Sequence, residues 1–297
     1  MELLFLGTSS MVPTKDRNQP ALLVSTRNYD LLIDCGEGTQ RQLKILKISP
    51  NRIKKILITH WHGDHCLGLL GILMTLGQNH YREELELYIP QGTKHHVEAM
   101  QKAFLVYLPY SLKVIECSTG TVFQDEHIKI EAARMQHIVP CVNFSIKERD
   151  KRRMKLAVIK KLGIPAGPLL GKLQDGQNVI WKGKTIAPED TTTISVGKKV
   201  TYITDTEPTD TCYQLAKDAD VLVCEATLKS ELSELAIERS HLTPKLAAHI
   251  ASHAGAKKLI LTHFSQRYAS IKELEEDAKD VFANVKAAYD FMRVKVT

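Results

Sequence analysis

The sequence contains no CxxC pair: its six cysteines, Cys35, Cys66, Cys117, Cys141, Cys212 and Cys224, are scattered singly. That argues against a disulfide framework and predicts buried thiols in a reduced, cytoplasmic protein. No apolar run approaches the length of a membrane span, so no membrane partner is expected. The start, Met1-Glu2-Leu3-Leu4-Phe5-Leu6-Gly7, lacks the basic segment and longer apolar stretch of a signal peptide. A repeat of solenoid period is also missing. What remains is ordinary for a globular chain: 297 residues, 43% hydrophobic and 25% charged, enough for one large α/β core.

The net charge of +6 is a mild excess, but it is unevenly placed. Lys147, Arg149, Lys151, Arg152, Arg153, Lys155, Lys160 and Lys161 are opposed only by Glu148 and Asp150, so this stretch alone carries the excess. A solvated helix face is the plain reading; a polyanion-binding surface is the functional one.

Apolar patterning predicts strands over 2–6, 21–25, 31–34, 54–59, 85–89, 113–116, 128–133 and 142–146, with a buried helix over 66–76. From 147 to 190 the periodicity lapses. The basic run gives way to Gly163-Ile164-Pro165-Ala166-Gly167-Pro168 and then to a polar stretch over 172–184. This reads as an arm inserted into a single domain spanning 1–297. Regular patterning resumes with strands over 199–204, 221–224 and 258–262 and helices over 212–217, 244–253 and 271–281, Thr243 serving as N-cap before Pro244.

Three imidazoles and a carboxylate fall within six residues in His60-Trp61-His62-Gly63-Asp64-His65, directly after an apolar strand. Donors that are all nitrogen and oxygen suit a catalytic divalent metal better than a structural one. One loop cannot enclose two metals, so further ligands belong at the ends of neighbouring strands. His137, Asp205 and His263 occupy such positions, although each taken singly could equally be a capping aspartate or a core histidine.

In this order, an HxHxDH loop followed by His, Asp and His at strand ends resembles the metallo-β-lactamase superfamily. The resemblance implies an α/β fold, a four-layer αβ/βα sandwich with the arm inserted as a flexible extension. It also implies two zinc ions, one held by His60, His62 and His137, the other by Asp64, His65 and His263, with Asp205 bridging both. Asp34, in Leu31-Leu32-Ile33-Asp34-Cys35-Gly36, matches the superfamily's early aspartate and would orient the histidine loop.

Further motifs resemble the ribonuclease Z family of tRNA 3′-processing endonucleases. They are Pro13-Thr14-Lys15-Asp16-Arg17-Asn18, Asp34-Cys35-Gly36-Glu37-Gly38-Thr39-Gln40, Glu225-Ala226-Thr227, His241-Leu242-Thr243, His263-Phe264-Ser265-Gln266-Arg267-Tyr268, and the glycine-proline segment followed by Gly171-Lys172-Leu173. The family implies cleavage of precursor tRNA after the discriminator base, leaving a 3′-hydroxyl on the tRNA and a 5′-phosphate on the trailer. Asp64 would steer the attacking water, and His241, held by Glu225, would protonate the departing ribose oxygen. Lys15 and Arg17 would meet acceptor-end phosphates, while Lys151, Arg152, Arg153, Gly167 and Pro168 on the arm would meet the tRNA elbow. A homodimer is also suggested.

Two residues depart from the family pattern: Gln136 stands where an acidic residue is common, and Asn143 where glycine is. Asparagine tolerates positive φ, so a turn is expected at Asn143. The competing readings are another two-zinc hydrolase of the superfamily, a general phosphodiesterase or lactonase, and a nonenzymatic RNA-binding module. The first leaves the arm and the 13–18 loop without a purpose.

Overall fold

The computed structural model describes every residue from Met1 to Thr297. Its framework is two seven-stranded sheets. In spatial order the first contains Arg293–Lys295, Glu2–Gly7, Ala21–Ser25, Asp30–Ile33, Ile53–Leu57, Leu85–Pro90 and Leu112–Cys117. The second contains Val285–Ala287, Leu259–Thr262, Val221–Glu225, Lys199–Ile203, Cys141–Glu148, Ile128–Met135 and Gly120–Gln124.

The two-residue period of a strand explains the layering. Leu3 and Phe5 from the first sheet, with Phe144, Val221 and Val223 from the second, share the core between the sheets. Their neighbours Leu4 and Leu6 face outward onto Leu43, Leu69, Ile72 and Leu73 of the Thr39–Ile45 and Leu69–Gln78 helices. Leu222 and Cys224 face the other way, onto Ala247, Ala251, Leu274 and Ala278 of the Pro244–His253 and Lys272–Lys279 helices. Helices therefore cover both outer faces, and the result is the four-layer αβ/βα sandwich.

The strands expected from the pattern all form, with ends displaced by at most two residues. Short edge strands (Gly120–Gln124, Val285–Ala287, Arg293–Lys295) and the polar helix Lys94–Ala103 were not foreseen, because few of their positions are fully buried. The helix expected over 66–76 is instead two, Gly63–Cys66 and Leu69–Gln78. The break has a cause at Gly68, where a Cβ would lie 2.1 Å from the Gly36 carbonyl oxygen. That close approach clamps the histidine loop onto the loop after Asp34.

The inserted segment also differs from expectation. It has its own small core of Ile159, Ile164, Leu173, Val179 and Ile186. Two helices, Leu156–Leu162 and Pro168–Gln174, and a hairpin of Val179–Trp181 with Lys184–Ile186 supply those side chains. Strand Lys151–Met154 pairs with Thr192–Ser195, closing the unit just past residue 190. Of the basic run, Lys147, Lys151, Arg152 and Arg153 lie on strands, Lys160 and Lys161 on a helix, and Arg149 and Lys155 between elements. Asn143 is corrected as well: it lies within the extended strand Cys141–Glu148 and is absent from the positive-φ positions.

Candidate metal centre and catalytic site

Every candidate ligand sits where a sheet strand ends. His60 and His62 follow Ile53–Leu57, and Asp64 and His65 ride the short Gly63–Cys66 helix. His137 follows Ile128–Met135, Asp205 follows Lys199–Ile203, and His263 follows Leu259–Thr262. Asp34, Asp205 and His263 take the left-handed conformation, with φ of 56°, 44° and 60°. Such a residue turns the chain out of the sheet and aims its side chain over the edge; Asp and His are among the few residue types that tolerate it.

Two clusters of donor atoms result, and a third grouping joins Asp205 and His263 to His241. In the first, His62 Nδ1 lies 3.0 Å from His60 Nε2 and 3.3 Å from His137 Nε2. In the second, His65 Nε2 lies 3.2 Å from His263 Nε2 and 3.4 Å from Asp64 Oδ2. Asp205 stands between them. Its Oδ2 is 3.6 Å from His60 Nε2, and its Oδ1 is 3.5 Å from His65 Nε2 and 3.3 Å from His263 Nε2.

The opposite ring atoms explain why these nitrogens are free to bind. His65 Nδ1 meets Asp34 Oδ2 at 2.7 Å, and His60 Nδ1 meets Thr59 Oγ1 at 3.0 Å. The Thr59 hydroxyl and amide in turn donate to Asp34. Glu225 is arranged in the same way on the other sheet. Its Oε2 lies 3.0 Å from His241 Nδ1 and accepts from Thr227 Oγ1, which lies 2.8 Å from His263 Nδ1. Each buried carboxylate thus orients one imidazole directly and a second through a threonine. With Nδ1 so engaged, His60, His65, His137 and His263 turn Nε2 toward the clusters, whereas His62 turns Nδ1. Ring nitrogens 3.0 to 3.3 Å apart must share either a proton or a metal ion, and five imidazoles with two carboxylates converging in this way form a nitrogen and oxygen donor set that fits divalent metal.

Charge agrees. Burial opposes ionisation of Asp205, yet His263, His65 and His60 hold its carboxyl well below the usual range. Asp64 is held down likewise, against burial, by His65 and His263. Burial, with His65 beside it, pushes His60 well down, which keeps it a neutral ligand. His241 behaves differently: burial lowers it, but the Glu225 carboxylate prevails and raises it to about 9.

Beside His241 opens a cavity of about 210 Å³ whose walls include Met11, Thr227, Arg239 and Arg267. A larger groove of about 790 Å³, lined by Lys129, Lys147 and Lys217 among others, lies at the root of the inserted segment, at the opposite strand ends from the donor cluster.

Of the expected phosphate contacts, Lys15 is exposed. Arg17 is not available: it is 8% exposed, and its guanidinium donates to the carbonyls of Tyr268 (2.8 Å) and Ser265 (3.4 Å). It ties the 13–18 loop to the segment after His263 rather than reaching solvent. Asn18 shapes the loop, donating from Nδ2 to the Glu37 carbonyl and from its amide to Asp290. On the inserted segment Lys151 and Arg153 are exposed, whereas Arg152 is engaged by Glu189 (3.1 Å) and Thr192 (3.2 Å). Gly167 and Pro168 are exposed where the second helix begins. Gln136 points outward, and His137 Nδ1 faces the Ser240 carbonyl at 3.3 Å instead of an acidic side chain. Residue patterns gave no sign of the Met11 amide, which donates to Asp64 Oδ2 at 2.8 Å.

This fold and this donor set define a metal-binding protein of the metallo-β-lactamase superfamily, and residues 175–264 match the family model described as beta-lactamase superfamily domain. Residues 1–152 match the model described as anti-Pycsar protein Apyc1. Neither model spans the chain, but full-length relatives do. The chain is 41% identical to the ribonuclease Z of Archaeoglobus fulgidus, covering 100% of this chain and 98% of that one. It is 40% identical to the ribonuclease Z of Bacillus velezensis, covering 100% and 99%. Human tRNase Z, short form, superposes with a TM-score of 0.74 at 28% identity over 100% of both chains. The chain belongs to the ribonuclease Z family.

Proposed function

We propose that this protein is a tRNA 3′-processing endonuclease that cuts precursor tRNA after the discriminator base, leaving a 3′-hydroxyl on the tRNA. Two zinc ions are its cofactors, one held by His60, His62 and His137 and the other by Asp64, His65 and His263. The observation that carries the metal assignment is Asp205, whose two oxygens face different nitrogen clusters. When bound, the zinc pair would acidify a water and neutralise the scissile phosphate.

The chain's own groups do the rest. Asp64 stays ionised, so it can accept the proton of the attacking water and aim it. His241, its Nδ1 committed to Glu225, presents Nε2 to the departing ribose oxygen as a proton donor. Lys15, Arg239 and Arg267 supply cations for the phosphates around the cut. End-mapping after incubation with a 3′-extended precursor tRNA tests the function. A single cut after the discriminator base is expected, and its loss in chelator; a ragged ladder or no cut would refute it.

The inserted segment, about 147–190, is the arm that binds the tRNA elbow through exposed Lys151 and Arg153 and the turn at Gly167 and Pro168. Removing both charges is expected to raise KM for precursor tRNA about 10-fold at moderate salt, since each lost phosphate contact weakens binding in a salt-dependent way. Hydrolysis of a small phosphodiester should not change. An unaltered KM for tRNA would favour a general phosphodiesterase.

A homodimer accounts for the exposed apolar side chains Leu67, Met74, Phe104, Leu105 and Tyr107. Met74 lies on the Leu69–Gln78 helix, Leu67 just before it, and the others on the chain around 104–110, which is tied to that helix by Tyr110 Oη donating to the Leu73 carbonyl at 2.8 Å. A reduced cytoplasm suits its unpaired, buried cysteines.

A further inference from the structure

Asn143 is fully buried at the point where two strands of the second sheet part. The last paired residues there are Phe144 and Tyr202, after which the chain turns through Thr204 into the left-handed Asp205. A regular ladder cannot continue past that turn, and buried Thr204 lies outside any strand. The Asn143 amide takes over. Thr204 N donates to Asn143 Oδ1 at 3.0 Å, and Asn143 Nδ2 donates to the Thr204 carbonyl at 2.9 Å. One link further, the Thr204 hydroxyl donates to Asp205 Oδ1 at 2.5 Å.

We propose that Asn143 is a positioning residue that locks the Asp205 carboxylate in the rotation sending one oxygen to each donor cluster, and thereby sets the affinity of the metal pair. In the orientation observed, Oδ2 faces His60 while Oδ1 faces His65 and His263. The Thr204 hydroxyl holds it, and the Asn143 amide holds Thr204. A glycine at 143 offers neither hydrogen bond, so this grip belongs to chains that carry asparagine. The inference rests on the two-zinc reading of Asp205.

Full-length wild type, Asn143→Asp, Asn143→Ala, Thr204→Val and the control Phe144→Leu would be compared. Zinc stoichiometry and affinity are read by competition with a chromogenic chelator, beside the melting temperature of each metal-free form. Asn143→Asp keeps the shape but sets an oxygen against the Thr204 carbonyl. Thr204→Val cuts the next link without touching Asn143, so the test survives if the Asn143 variants do not fold. The expected result is zinc binding weaker by about 10- to 100-fold in the Asn143 and Thr204 variants, with kcat on precursor tRNA reduced and KM unchanged. Phe144→Leu, trimmed in the core between the sheets, should melt lower yet keep wild-type zinc affinity. Wild-type affinity in Asn143→Asp, or losses no larger than the control's, would overturn the assignment. A wild type that takes up no second zinc would overturn the bridging reading beneath it.

Discussion

Alanine in place of Asp64 is expected to abolish cleavage of precursor tRNA, lowering kcat by about 10³-fold or more, and to release one metal. Two roles converge on a single oxygen. Asp64 Oδ2 lies 3.4 Å from His65 Nε2 and 3.5 Å from His263 Nε2, within the second donor cluster. The same oxygen accepts the Met11 amide, which ties the substrate-side loop to the metal centre. Removing the side chain therefore takes away a ligand, the base that aims the water, and the anchor of a loop at once. Metal analysis and single-turnover kinetics read these losses separately. A variant retaining a tenth of wild-type kcat would show that Asp64 does not act on the nucleophile.

His241→Ala is expected to lower kcat by about 10²- to 10⁴-fold, the usual worth of a general acid, while KM and zinc content stay as they were. A substrate whose leaving group needs no proton, such as an aryl phosphodiester, should lose far less. Equal losses on both substrates would assign His241 to structure instead. Glu225 raises the His241 pKa to about 9, so the acid form prevails at neutral pH and activity falls as pH rises through that value. Glu225→Gln removes the stabilising charge and lowers the pKa. The alkaline limb of the pH–kcat profile should then move to lower pH.

The parts of this site that could be read from the sequence are those written locally. Four ligand-type residues within 60–65 after an apolar strand announce a metal, and the order of His137, Asp205 and His263 behind strands suggests how it is enclosed. The two core-facing registers follow from alternation, as at Leu3 to Leu6. Contacts made by shape rather than by pattern were hidden. The Asn143 amide reaches a backbone 61 residues away, and nothing in either segment's periodicity marks the pairing. Arg17 was expected to meet phosphate because the 13–18 loop resembles the family's motif. Only the fold reveals that two carbonyls beyond His263 claim it. The inserted segment looked structureless because five buried side chains spread over 159–186 are too sparse to set up a period.

The left-handed turns at Asp34, Asp205 and His263 bear on how such a site would decay. Aspartate, asparagine and histidine are at home in that conformation, so backbone demand and coordination demand select the same residue types there. His62, with φ of −68°, is under no such backbone demand. A duplicated copy released from catalysis should therefore drift sooner at ligands without that demand, His60, His62, Asp64, His65 and His137, and keep its turn residues longest, so intact residues at the turns would be poor evidence that a relative still turns over substrate.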